Sequence, residues 1–168
     1  MKIGEYWDNF FDWLKKAELV ELEKINTADD PVRPELDNEF RTSHGRTILG
    51  LKYKDEIEGV VCLAFTNEVP TTVKELELMS KDASIQGTHN ADQIGKIAVA
   101  YTLWSLKRGA GKKIMSELQN YIKSKPNIKQ MVTLSPLTPM ATHYHIRNGA
   151  KLISINDKTQ NFEYKIND

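Results

Sequence analysis

The sequence predicts an α/β fold of the α+β kind, a mixed central sheet flanked by helices, and three observations carry that prediction. Two β-branched and aliphatic runs, Arg46 to Tyr53 and Glu58 to Phe65, face each other across the polar Lys54-Asp55-Glu56, which is the pattern of an antiparallel hairpin. An alternating run from Ile94 to Trp104 leads through a glycine-containing turn into Ile114, Met115, Leu118, Tyr121 and Ile122 at helical spacing. A closing pair of runs, Ala150 to Ile155 and Asn161 to Ile166, flanks Asn156-Asp157-Lys158 as a second hairpin. A chain of 168 residues, 40% of them hydrophobic, fills one ordinary core and not two. One domain over 1–168 is therefore expected, with residues 1–45 forming a helix and a connector and 46–168 forming the core.

From Ile3 to about Lys24, Trp7, Phe10, Phe11 and Leu14 fall at i, i+3, i+4 and i+7, which predicts an amphipathic helix with that face docked on the core. Asn26 to His44, with Asp29-Asp30-Pro31, Pro34 and many charges, reads as a long irregular loop. Beyond Pro70, Thr72 and Glu75 have the spacing of a capping box ahead of Val73, Leu76, Leu78 and Met79, so a short helix follows the first hairpin. In the run after the polar Ser84 to Gln93, Ile97, Val99, Tyr101 and Leu103 form one alternate set, while Ala98 and Ala100 make the other face small. Gln130 to Leu134 reads as a further strand. Thr138-Pro139 supplies a cap and a first-turn proline for the last helix, and Gly149 its stop.

Several function classes are disfavoured by composition. Lys plus Arg (23) equals Asp plus Glu (23), so no overall field draws in nucleic acid or an anionic membrane. The most apolar stretch, around Ile97 to Leu103, is about half of what crosses a hydrocarbon core. Glu5, Asp8 and Asp12 among the N-terminal aromatics do not make a secretory signal, and a cytoplasmic location is expected. Cys62, inside Val60-Val61-Cys62-Leu63, reads as a buried structural thiol. His143 and His145 lack the further ligands of a zinc site, so no metal is expected.

The turn Leu106-Lys107-Arg108-Gly109-Ala110-Gly111-Lys112-Lys113 joins a strand to a helix N-terminus, where backbone N–H groups lack intrahelical partners and the helix dipole is positive. Lys107, Arg108, Lys112 and Lys113 add charge there. The pattern is neither the P-loop nor the dinucleotide fingerprint.

With Val132-Thr133-Leu134-Ser135-Pro136 and the segment from Ala141 to Ala150 following that turn, the chain resembles the GNAT acyltransferase superfamily. That family has an R/Q-x-x-G-x-G/A turn holding the pyrophosphate of coenzyme A, and a later A-x-x-x-Y-x-x-x-G-F segment whose tyrosine protonates the departing thiolate. Arg108 and Gly111 match the first pattern, with Lys113 in place of its last small residue; Ala141 and Gly149 match the second, with His145 in the tyrosine's place and Ala150 in place of the aromatic. A closer similarity, over roughly residues 46 to 166, is to the catalytic domain of malonyl-CoA decarboxylase, through Leu63 to Pro70, Tyr101 to Trp104, Leu134-Ser135-Pro136 and Tyr144-His145-Ile146-Arg147-Asn148-Gly149-Ala150. That family's catalytic serine and histidine fall on Ser135 and His145.

The resemblance implies a GNAT-like fold, an acyl-CoA bound in a cleft beside Tyr101, and a pyrophosphate on Lys107, Arg108, Gly109, Ala110, Gly111 and Lys112. Removing CO2 from a malonyl thioester leaves an enolate, which needs a donor for its oxygen and an acid for its carbon; Ser135 and His145 are the candidates. The leading expectation is therefore a malonyl-CoA decarboxylase-like enzyme yielding acetyl-CoA and CO2. Only nine residues separate Ser135 from His145, however, and the family has a long insertion there. The alternatives are a GNAT acetyltransferase acting on an amine and a non-catalytic acyl-CoA binder or interaction protein. The expected partner is a small-molecule acyl-CoA, with neither nucleic acid nor membrane, and homodimer formation is left open.

Overall fold

Lys54 and Asp55 fold the first hairpin. Both have left-handed backbones (φ 49° and 66°), the pair of positive φ values that a two-residue type I′ turn requires. They join β2 (Thr47–Tyr53) to β3 (Glu56–Thr66) with Tyr53 opposite Glu56. An L-residue other than glycine is disfavoured there, so Asp55→Gly is expected to stabilise the fold by about 0.5–1 kcal/mol after its own entropy cost. A urea midpoint below that of the wild type would contradict this.

The computed structural model describes residues 2–90 and 95–166. The strand order is β1-β2-β3-β4-β5-β8-β6, with β7 on β8. Here β1 is Glu18–Leu22, β4 Ile97–Ser105, β5 Gln130–Thr133, β6 Ser135–Pro136, β7 Lys151–Ile155 and β8 Thr159–Tyr164. Among the described residues only β4 and β5 pair in parallel. The helices are α1 (Ile3–Lys16), α2 (Asn38–Thr42), α3 (Val73–Gly87), α4 (Ala110–Lys123) and α5 (Pro139–Arg147). One face of the sheet packs Leu63, Ala98 and Ala100 against Ile114, Met115 and Leu118 of α4; the other packs Cys62, Val99 and Tyr101 against Leu76 of α3 and Phe40 of α2.

Local signals place most of these elements. Thr72 Oγ accepts from the Glu75 N–H (3.0 Å), while the Glu75 carboxylate reaches back to the Thr71 N–H (3.0 Å). Thr138 caps α5 ahead of Pro139, and Gly149 ends it with a φ of 91°.

Three expectations are corrected. The first helix stops at Lys16 instead of about Lys24, and the next residues form β1, which covers the open edge of β2 from Glu18 opposite Lys52 to Leu22 opposite Ile48. Pairing an otherwise bare strand outweighs helical continuation through Val20. The stripe Trp7, Phe10, Phe11 and Leu14 does not dock on the core: all four are exposed, and the residue α1 buries is Trp13. The connector is also more ordered than its composition suggests. It holds a 3-10 turn at Thr27–Asp29 and the short α2, capped by Asp37, whose carboxylate accepts from the Phe40 N–H (2.8 Å). The start proposed for the fourth strand, Ile94, lies outside the described residues, and β4 is defined from Ile97.

Candidate functional site: the split between β4 and β5

The pairing of β4 with β3 changes phase at Tyr101. Cys62 lies opposite Thr102 and Leu63 opposite Ala100, which leaves Tyr101 as the extra residue of a β-bulge. Tyr101 and Thr102 consequently face the same side, Leu103 turns to join Ala98 and Ala100, and Trp104 joins the Tyr101 side. The sequence reading put Leu103 with Tyr101; one inserted residue inverts that alternation.

Next to the bulge the sheet divides. β5 follows β4 from Ile97–Gln130 to Ala100–Thr133, and the Leu134 N–H donates to the Ala100 carbonyl (2.9 Å). Beyond that point β6 pairs with β8 instead, so Tyr101 to Ser105 has no strand partner on its β5 side among the described residues. The connector attends this edge: Arg33 Nη1 donates to the Tyr101 carbonyl, and Thr102 Oγ donates to Asp30 (2.9 Å). Burial lowers the pKa of the Arg33 guanidinium. The Tyr101 hydroxyl is buried beside the Cys62 thiol, with no other hydrogen-bond partner among the described residues, and burial raises its pKa.

The one-sided strand runs directly into the glycine turn. Gly109 is the N-cap of α4 with a φ of 86°, a conformation that favours glycine. Gly111 serves a different need: a Cβ there would sit 3.0 Å from Tyr144 Cε2, and the Tyr144 hydroxyl donates to the Gly111 carbonyl (2.7 Å). Ala110 is buried below the turn, and its N–H is spent on the Lys107 carbonyl (3.1 Å).

The four cations divide into two pairs. Lys107 bonds Glu58 (3.2 Å), which also accepts from the Trp13 indole, while Lys113 bonds the Leu14 carbonyl (2.6 Å) and Glu117 (3.0 Å). These two hold α1 against the body. Arg108 and Lys112 are exposed and make no hydrogen bond or ion pair among the described residues.

Ser135 and His145 lie on one face of β8, with no hydrogen bond between them among the described residues. Ser135 lies opposite Gln160, and its hydroxyl bonds Thr133 Oγ (2.8 Å), which also accepts from the Phe162 N–H (3.1 Å). The His145 ring packs 5.0 Å from Phe162, and its Nδ1 bonds the Tyr164 hydroxyl (2.7 Å). Gln160, Phe162 and Tyr164 alternate along β8, and Thr142 of α5 bonds Gln160 (2.9 Å). Burial pushes the His145 pKa down to about 4, leaving a neutral imidazole at pH 7. Its Nε2 makes no hydrogen bond among the described residues.

Tyr164, Tyr144 and Arg33 were not singled out in the sequence. Tyr164 belongs to a run that reads only as a strand, Tyr144 carries signal only as a neighbour of His145, and a charged connector reads as solvated. Two hollows, of about 470 Å3 near His44, Phe65 and Tyr121 and about 340 Å3 near Lys129, Lys151 and Glu163, lie away from the split. Among the described residues no group of three or more His, Cys, Asp or Glu side chains is placed to hold a metal, and no helix is long and apolar enough to cross a membrane.

A mixed sheet that divides beside a bulged strand, with a glycine turn and helix at the end of that strand, is a GNAT-like fold. Solved structures agree on this architecture. The loading GNATL domain of CurA from Lyngbya majuscula is similar with a TM-score of 0.60 and 14% identity, over 89% of this chain and 97% of that one. AAC(6')-Ib, solved with ribostamycin and coenzyme A, is similar with a TM-score of 0.57 and 12% identity, over 88% and 91%. Malonyl-CoA decarboxylase from Cupriavidus metallidurans aligns with a TM-score of 0.46 and 20% identity over 77% of this chain, which spans 34% of that protein's length. No family model and no curated protein matches the sequence.

Proposed function

We propose that this protein is an acyl-CoA-dependent acyltransferase that moves an acyl group from a coenzyme A thioester to an amine. The observation that carries the reading is the one-sided segment Tyr101 to Ser105, which beyond the Tyr101 carbonyl held by Arg33 offers backbone groups to an extended ligand and ends in the turn that opens α4. In this reading the backbone N–H groups of Gly109, Gly111 and Lys112 hold the pyrophosphate, with Arg108 and Lys112 as its charged partners. Ala110 packs the turn from below, and Lys107, through Glu58, fixes its entry. The pantetheine arm lies along Tyr101 to Ser105. The amine attacks the thioester carbon, the C–S bond breaks and the proton lost by the amine goes to the thiolate. With the Tyr164 hydroxyl donating to Nδ1, His145 carries its proton on Nε2 and acts as a neutral N–H donor.

Charge reversal at the turn follows from this arrangement. Arg108→Glu with Lys112→Glu is expected to weaken coenzyme A binding by at least about tenfold, or about 1.4 kcal/mol, in a calorimetric titration. Equal affinity in the variant would remove the turn from the site.

A second reading, decarboxylation of malonyl-CoA, is favoured by Ser135 and His145 sharing one face of β8. It requires a hydroxyl and an acid at a single substrate, whereas Ser135 bonds Thr133 and His145 is neutral at pH 7. Incubation with acyl-CoA separates the readings. Thiol release from acetyl-CoA that depends on an added amine supports transfer, and CO2 and acetyl-CoA from malonyl-CoA alone support decarboxylation. A melting temperature raised by coenzyme A with no thioester consumed supports binding without chemistry.

A further inference from the structure

We infer that the aromatic face of α1 is a self-association surface, covered in solution by α1 of a second copy. Ile3, Tyr6, Trp7, Phe10, Phe11 and Leu14 line one side of the helix and are 37% to 78% exposed. They form a continuous aromatic patch: Tyr6 and Trp7 meet edge-on at 5.6 Å, Trp7 and Phe10 at 6.0 Å, and Phe10 and Phe11 at 5.8 Å. With roughly half of each side chain exposed, at about 200 Å2 per side chain, the patch offers on the order of 600 Å2 per copy. A pair would bury about 1,200 Å2, where stable interfaces begin.

Charge speaks against a lipid occupant. Lys2, Lys15 and Lys16 balance Glu5, Asp8 and Asp12, so α1 lacks the cationic polar face that binds anionic lipid. A second copy brings the same apolar patch, which makes a self-complementary contact. The last turn of α1 is fastened to the body by the Trp13 indole on Glu58, by Asp12 accepting from the Tyr53 hydroxyl (2.5 Å) and by Lys113 on the Leu14 carbonyl (2.6 Å). The patch is thus presented on a fixed helix, which lowers the ordering cost of association.

Sedimentation velocity on the full chain over a concentration series tests this. The wild type is expected to pass from monomer to dimer, and Trp7→Glu with Phe11→Glu to weaken the dimer at least tenfold, with a melting temperature unchanged at concentrations where the wild type is monomeric. A wild type that stays monomeric throughout overturns the proposal, as does a dimer indifferent to Trp7 and Phe11. Capture of the monomer by phosphatidylserine vesicles without dimer formation also overturns it.

Discussion

Arg41→Met is expected to cost about 3–5 kcal/mol of folding free energy, because it removes one partner of a buried ion pair and leaves the other charge unpaired. Arg41 Nη1 lies 2.9 Å from Asp30 Oδ2, and both side chains are fully buried. Asp30 Oδ1 also accepts from the N–H groups of Val32 (2.8 Å) and Arg33 (3.0 Å) and from Thr102 Oγ (2.9 Å). Arg41 donates further to the carbonyls of Leu36 (2.9 Å) and Arg33 (2.8 Å). This pair therefore ties the connector to itself and to the one-sided part of β4. Adding Asp30→Asn to Arg41→Met removes the stranded charge but restores no donor to the two carbonyls, so it should recover only part of the loss. Urea unfolding of the wild type and both variants measures this, and a single-variant cost below about 1 kcal/mol would contradict it. Cys62 lies against the same pair, with Arg41 Nη1 3.4 Å from its sulfur, and burial pushes its thiol up to about 11. That environment agrees with an inert thiol.

Sequence and structure coincide where the determining contacts are local. The β2–β3 hairpin follows from two residues that must turn, α3 from Thr72 and Glu75, and α5 from Thr138, Pro139 and Gly149. The glycine turn before α4 belongs to the same class, because a strand, two glycines and a helix N-terminus are adjacent in the chain. What stayed illegible depends on partners far away in sequence. β1 exists because the edge of β2 was open, 34 residues away at Glu18 and Lys52 in register. The bulge at Tyr101 is a property of the β3–β4 register, and the chain around it keeps the alternation of an unbroken strand. Asp30 and Arg41 look solvated in a polar connector and are buried because α2 folds over the sheet. Ser135 and His145 fall on the expected elements, and α5 sets Thr142 over Gln160 and His145 over Phe162, contacts that no local pattern in the chain announces.

Stability between pH 6.5 and 4 should fall in the wild type and fall less in His145→Gln. Desolvation holds the His145 pKa at about 4 in the fold, against 6.5 for the ordinary side chain. In that window the unfolded chain binds a proton that the folded chain refuses. Protonation therefore favours unfolding as pH drops below 6.5, and the full contribution of the neutral ring is present above it. The slope approaches about 1.4 kcal/mol per pH unit, and the accumulated loss is on the order of 3 kcal/mol by pH 4. Glutamine removes the titration, so the difference in unfolding free energy between the two proteins should shrink from pH 7 to pH 4, whatever constant cost the substitution carries for the bond to Tyr164. A difference that stays level across the range would mean that the ring takes up its proton in the fold as readily as in the unfolded chain. His145 would then approach an acyl thioester as a titratable acid, and its part in the proposed transfer would change from a fixed N–H donor to a proton source with a pH-dependent rate.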